Sequence, residues 1–391
     1  MNSIMSTYSR LPVTFERGEG AYLYDTEGKK YLDAMCGIAV TSLGHAHAGV
    51  AEAISDQARK LVHTSNLYHI SNQTQLGDKL CELSGMDSVF FANSGAEANE
   101  AAIKLARLYG KSLNIETPNI IVMEGSFHGR TLATLSATGS RKVRAGFSPL
   151  LSGFVRVPYN DIKAVETTAN NNKDVVAILV EPIQGEGGII VPDEGYLKKL
   201  RAICDQNNWL LMVDEIQSGM SRTGKWFGFQ HENIQPDVMT LAKALGNGVP
   251  IGACLAAKSV SHVLKAGTHG STFGGNPLST RAGLAVVEAM EAGDIKHNAQ
   301  LMGRYLHSQL QEGLSGLAGV TTIRSKGLMI GIVLDRDCGE LVMQALEAGL
   351  LINVTAGNVV RLLPPLTLTH EQADEITRIL VMIITSYLKS S

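Results

Sequence analysis

One repeated pattern constrains the fold more than any other: short apolar runs, rich in β-branched residues, each ending in a polar, glycine-containing turn. "SVFFANSG", "NIIVMEGS", "VVAILVEPIQGEGG", "WLLMVDE" and "VMTLAKALGNG" take this form, and helical patterns separate several of them. A strand that is apolar along its whole length has no face to offer water, so both faces of its sheet must be covered. The intervening helices supply that cover and predict an α/β fold with a largely parallel sheet. In such sheets ligands gather at the carboxyl ends of the strands, where this chain concentrates its acids, glycines and a lysine.

One helix is legible in detail. Ala98, Ala101, Ala102, Leu105 and Leu108 recur at helical spacing opposite Glu100, Lys104 and Arg107. Ser94 followed by Glu97 fits a capping box, and Gly95 with Ala96 keeps the first turn small, its backbone N–H groups facing outward. Such a terminus can take an anion, although an ordinary capped helix has the same sequence.

Residues 291–391 read as a second, smaller α+β domain. Its pattern is a helix near Asn298 to Leu314, "GVTTIRSKGLMIGIVL", a helix near Gly339 to Ala348, "LLINVTAGNVVRLLPPLTL", and a final helix capped by Thr369 and Gln372. Residues 1–45 carry strand-like "AYLYDTEGKKYLD" around a D-T-E-G turn, with no partner nearby, and are expected to pack with that domain. Residues 46–290 form the large domain.

Composition narrows the partners. A formal charge of −3 and 18% charged residues give no field to attract nucleic acid or an anionic membrane, which leaves small molecules. The five cysteines are scattered and form no C-x-x-C, so neither a disulfide framework nor a zinc site is expected, and a reducing compartment fits. The first residues lack a signal or transit pattern, and no apolar run approaches the ~18 residues of a membrane span, so the expected location is the cytoplasm.

"LLMVDEIQSGMSRTGKW" poses a choice. Gly219 to Lys225 spells G-x-x-x-x-G-K after a strand-like run, as a nucleotide phosphate loop does. That loop needs a Ser or Thr next and a helix after it. Here Trp226 stands in the hydroxyl position and "WFGFQHEN" is a poor first helical turn, so the reading fails. Asp214 is the more telling residue: it ends a run that should be buried, so its charge must meet a partner or its pKa must shift. The protonated ring nitrogen of pyridoxal phosphate needs such an acid, and the cofactor also needs a lysine and an anion site. Lys243 in "LAKALGNG" and Gly95 with Ala96 are candidates. The role of Glu215 stays open between a buried ion pair and a supporting contact.

With these residues in view, the chain resembles the class III pyridoxal phosphate aminotransferases. "NSGAEANEAAIKLARLY", "SFHGRT", "VEPIQGEGG", "VDEIQSGMSRTGK", "LAKALGNGVPIGA", "GSTFGGNPL" and "VVRLLPPLTL" carry the resemblance over nearly the whole chain. It implies a fold-type I architecture: a large domain with a mostly parallel seven-stranded sheet, plus a smaller α+β domain built from both chain ends, in a homodimer with shared active sites. By motif match, Lys243 would form the Schiff base, Asp214 would face the pyridine nitrogen and Gln217 would approach the phenolic oxygen. Gly95 and Ala96 would hold the phosphate, joined by Thr272 from the neighbouring subunit, whose Ser271 would lie near the substrate. Phe127 and Ile216 would contact opposite faces of the ring.

Within the class, "GIAVTSLGHAH", "FHGRTLATLSATG" and "KALGNGVPIGACLA" are most similar to members that act on acylated ornithine in arginine biosynthesis. The implied reaction is ping-pong transfer of the terminal amine of N-acetylornithine to 2-oxoglutarate. Arg130 would bind the α-carboxylate of the donor. Arg361 would bind that of 2-oxoglutarate once Glu186 releases it, because a guanidinium grips carboxylate in a fork that lysine cannot reproduce. Ile38 stands where relatives acting on free ornithine carry tyrosine. Ala48 and Ser221 depart from the usual proline and glycine, which bears on turns alone. Succinylornithine, ornithine, γ-aminobutyrate and lysine-pathway amines stay open as donors, and a non-catalytic dimeric scaffold is the rival from another class.

Overall fold

The computed structural model describes residues 3–389. Three strands come first: β1 (Phe15–Glu19), β2 (Tyr22–Asp25) and β3 (Lys30–Asp33). The central sheet follows, with β4 (Ser88–Ala92), β5 (Asn119–Met123), β6 (Phe154–Val157), β7 (Val175–Val180), β8 (Leu210–Asp214), β9 (Val238–Leu241) and β10 (Gly252–Ala256). The last strands are β11 (Val320–Lys326), β12 (Met329–Leu334), β13 (Leu350–Leu351), β14 (Asn353–Thr355) and β15 (Val359–Leu362).

The seven central strands lie in the order β4-β10-β9-β8-β7-β5-β6, parallel except for β10, which runs against both neighbours. This is the mostly parallel α/β sheet expected. Every residue of β7 and β8 is buried. Their side chains alternate between two separate apolar clusters: Ile178, Val180, Leu211 and Val213 in one, Val176, Leu179, Leu210 and Met212 in the other. Helices cover both. Ala101, Ala102 and Leu105 of helix Gly95–Ser112 pack into the second cluster, and Leu197 and Leu200 of helix Tyr196–Asn207 into the first.

The D-T-E-G turn closes a hairpin between β2 and β3, with the backbone N–H groups of Glu27 and Lys29 donating to Asp25 Oδ1. Gly28 takes φ 83° there, a conformation that glycine adopts without penalty. The fourth strand of this sheet comes from the other end of the chain: Leu350 and Leu351 of β13 pair in parallel with Leu32 and Asp33 of β3. β11, β12, β15 and β14 form a second four-stranded sheet, backed by helices Ile295–Gly313 and His370–Lys389. The final helix opens as the sequence indicates, with Thr369 N–H donating to Gln372 Oε1 at 3.0 Å and Gln372 N–H to Thr369 Oγ1 at 3.3 Å.

The stretch that imitates a phosphate loop is a packed brace. Arg222 is 1% exposed and donates to the carbonyls of Leu328 and Pro364 and to Ser42 Oγ, joining segments from the beginning, middle and end of the chain. Lys225 turns outward to the Gln230 carbonyl, and a single 3-10 turn, Gly228–Glu232, follows.

Candidate active site

The carboxyl ends of the parallel strands converge on one cavity of about 430 Å³. Gly95 and Ala96 reach it after β4, Phe127 and Arg130 after β5, Glu181 and Glu186 after β7, Asp214, Ile216 and Gln217 at β8, and Lys243 after β9. Nine residues singled out in the sequence thus share one wall-to-wall space.

At the first wall, Ser94 Oγ accepts the Glu97 N–H at 3.2 Å. Glu97 reaches back to the Asn93 N–H, one residue before the cap, at 2.6 Å. The helix start is therefore capped on its rim, and its small first residues Gly95 and Ala96 line the cavity. A Cβ on Gly95 would sit 2.7 Å from Ile216 Cδ1, so a larger residue there would push the Ile216 side chain aside.

Asp214 is 4% exposed yet fully engaged. Its Oδ2 accepts Asn99 Nδ2 at 2.8 Å and faces His128 Nδ1 at 2.7 Å, while Oδ1 accepts the Ile216 N–H at 3.1 Å. Thr240 Oγ1 in turn donates to Asn99 Oδ1 at 2.8 Å. Burial penalises a carboxylate, and donors of this kind offset the penalty. Asn99, His128 and Glu181 were not singled out in the sequence. Asn99 had a visible signal as a polar residue beside Ala98 on the buried face of the helix; Glu181 ends an apolar strand just as Asp214 does. Glu181 accepts the N–H groups of Phe127 and Gly185 at 2.9 and 3.2 Å. Its burial pushes the carboxyl up to about 7, against the pull of His128.

Lys243 opens a short turn at φ 47°. Burial lowers its ammonium to about 8, with Glu186 opposing the shift and Arg361 adding to it. Arg361 lies behind Glu186 and Gln217 and is 1% exposed. Its Nη1 is 2.5 Å from Glu186 Oε1 and 3.4 Å from Gln217 Oε1. Burial, the largest influence, would raise the Glu186 carboxyl, but the Arg361 charge and hydrogen bond together with Lys243 and Gln217 outweigh it and the pKa is lowered.

Besides Arg361, three candidates lie off the cavity wall in the single chain. Ser271 Oγ accepts Asn93 Nδ2 at 3.3 Å and the Gly274 N–H at 2.9 Å, and Thr272 is exposed. Ile38 packs with Ala39, Ile183 and Leu363, and Val40 lines the cavity in its neighbourhood. The cause is a turn in which Cys36, Gly37, Ile38 and Ala39 all have left-handed φ, 52° to 69°. Each such L-residue costs about 1–2 kcal/mol. The turn is pinned by the Met35 and Cys36 N–H groups on Asp33 Oδ1, and by His45 Nε2 on Asp33 Oδ2 at 2.8 Å. Glu215 forms no ion pair among the described residues: its carboxylate accepts the Phe229 N–H at 2.8 Å and the Ser218 hydroxyl at 2.5 Å, and burial raises it to about 7.

A doubly wound sheet with a buried carboxylate, a lysine of lowered pKa and a glycine-led helix terminus around one cavity defines a class of enzyme. The aminotransferase class-III family model matches residues 4–384, and the chain belongs to that family. It is an aminotransferase whose cofactor is pyridoxal 5'-phosphate. It is similar to the acetylornithine aminotransferase of Nitrosomonas europaea, 54% identical over 100% of this chain and 99% of that one. Among solved structures it resembles the ornithine aminotransferase of Toxoplasma gondii, with a TM-score of 0.96 at 33% identity, covering 100% of this chain and 94% of that one. It also resembles the acetylornithine aminotransferase of Elizabethkingia anophelis, with a TM-score of 0.88 at 36% identity over 98% and 96% of the two chains. No helix among the described residues is long and apolar enough to cross a membrane.

Proposed function

We propose that this chain transfers the terminal amine of N-acetylornithine to 2-oxoglutarate, giving N-acetylglutamate semialdehyde and glutamate, a step of arginine biosynthesis. The observation that carries the reading is the Arg361–Glu186 pair set beside Gln217, with Arg130 exposed on the wall of the same cavity. Two arginines suit a diacid. With one of them covered by a carboxylate, the same cavity suits a donor that has a single carboxylate and an amine at its far end. The 54% identity to an acetylornithine aminotransferase supports acetyl as the acyl group.

The residues present fit the cofactor. Gly95 and Ala96 at the helix start would hold its phosphate, Asp214 its ring nitrogen, Gln217 its phenolic oxygen, and Phe127 and Ile216 its two faces. When bound, pyridoxal phosphate takes up the amino group on its aldehyde carbon and spreads into its protonated ring the electrons released from the adjacent C–H bond. The protein does the rest. Asn99 and the Ile216 N–H hold the Asp214 carboxylate in place, Arg130 orients the donor by its α-carboxylate, and the Lys243 amine, once displaced, removes a proton from the donor's δ-carbon. In the second half-reaction Glu186 swings away, Arg361 takes the α-carboxylate of 2-oxoglutarate and Arg130 its far carboxylate.

The assembly proposed is a homodimer. Thr272 and Ser271 lie off their own chain's cavity beside exposed apolar Leu67, Tyr68 and Phe273, an arrangement that suits delivery of both to a second copy. The domain boundaries proposed are 1–45 with 291–391 around 46–290, supported by the β3–β13 pairing. Five unpaired cysteines suit the cytoplasm. The decisive experiment compares kcat/KM for acetylornithine, succinylornithine, ornithine and γ-aminobutyrate with 2-oxoglutarate. Acetylornithine should lead; a lead for γ-aminobutyrate would overturn the substrate assignment.

A further inference from the structure

Arg361 has five N–H donors, and their partners are unequal. Nη1 meets the charged Glu186 and, at longer range, Gln217. The opposite edge is taken by one neutral residue that plays no part in the reading above: Asn353 Oδ1 accepts Nε at 2.9 Å and Nη2 at 2.6 Å. Asn353 and Arg361 are direct cross-strand partners in the antiparallel β14–β15 pair, so this contact belongs to the sheet. Glu186 sits in the loop after β7 with its carbonyl accepting the Thr355 hydroxyl of β14, so its carboxylate can swing away while its backbone stays tied to that strand.

We infer that Asn353 is a positioning residue that fixes one edge of the Arg361 guanidinium, so that its Nη1 edge alone is exchanged between Glu186 and the carboxylate of an incoming dicarboxylic acid. Neutrality is what makes the device work. With Glu186 withdrawn, an arginine held by an amide keeps its full charge for the ligand. Held by a second carboxylate, it would present an already neutralised pair. Released from both, a long flexible side chain would have to be reordered at each turnover, which costs binding free energy. The inference deepens the Arg361 reading and rests on it.

The test uses holoenzyme and glutarate, a dicarboxylate with no keto group to react, titrated calorimetrically. Hydrogen bonds to a charged group are worth enough that Asn353→Ala should weaken glutarate about tenfold. Asn353→Asp, which keeps the shape and the acceptors, should weaken it further, while melting temperatures stay within a few degrees of the parent. In single turnovers, the loss should fall on the 2-oxoglutarate half-reaction as a raised apparent KM, with a much smaller change in the amine half-reaction. A merely structural contact would be rescued by Asp; glutarate binding by Asn353→Asp at parental strength, or equal losses in both half-reactions, would overturn the inference. Arg361→Lys separates the two layers. If it leaves glutarate binding intact, the Arg361 reading itself fails; if it weakens binding while both Asn353 variants do not, the positioning role alone fails.

Discussion

His128 holds its Nδ1 2.7 Å from Asp214 Oδ2, and its own ring is fully enclosed, with Nε2 buried and without a hydrogen-bond partner among the described residues. The acid proposed to face the cofactor is thus fixed by a second buried titratable group. Replacing His128 with alanine should leave Asp214 Oδ2 with Asn99 as its one side-chain partner. Affinity for pyridoxal phosphate should fall by about tenfold or more, the worth of a hydrogen bond to a charged group. Titration of the visible absorbance measures it, and an unchanged affinity would remove His128 from the site.

Lys243→Ala should abolish the near-visible absorbance of covalently held cofactor and stop turnover, whereas a variant with normal activity would sink the assignment. The wild-type lysine also sets a pH dependence. Burial lowers the ammonium from 10.5 to about 8, so the fraction of neutral, nucleophilic amine grows as pH rises through 8. The rate at which apoprotein takes up pyridoxal phosphate should climb between about pH 7 and 9 and then level off. A rate still climbing towards pH 10.5 would show an unshifted lysine.

Glu186→Gln removes the charge that covers Arg361. Donors that carry an α-carboxylate next to the reacting amine, such as glutamate, should then compete better. The ratio of kcat/KM for acetylornithine over glutamate should drop about tenfold, the scale of a charge-assisted pair. An unchanged ratio would mean that the pair does not gate the substrate.

Glu215→Ala strands two donors, the buried Phe229 N–H and the Ser218 hydroxyl. The expected loss is about 3 kcal/mol, read by denaturant unfolding. The pH trend has its own sign. A carboxyl raised from 4.5 to about 7 in the folded state binds more protons there than in the unfolded chain, so its contribution to stability is present in full below about pH 4.5 and is lost as pH climbs to 7. Glu215→Gln should remove that slope.

The sequence made Asp214, Lys243 and the Ser94 cap legible because each stands at a break in a simple pattern, where an apolar strand or an amphipathic helix begins or ends. Ser271 and Thr272 carry no such mark, since they stand in a turn away from their own chain's cavity, at no break between a strand and a helix. β6 and β10 escaped notice for another reason: "FVRV" is short and interrupted by Arg156, and "GACLA" is small and weakly β-forming, yet the sheet recruits both through their neighbours. Arg222 was hidden inside a false motif. Its task is set by Ser42, Leu328 and Pro364, which no local window contains.

The parallel pairing of Leu32 with Leu350 sets a timetable. As the ribosome extends the chain, β3 is made well before β13 and waits with a bare edge until β13 follows. The left-handed turn that follows β3, which leads to Val40 at the cavity, is held by Asp33 of that same strand. Closure of the sheet edge beside that turn is therefore deferred until β13 has been made, and a nascent chain cut short before residue 350 should be unable to complete it.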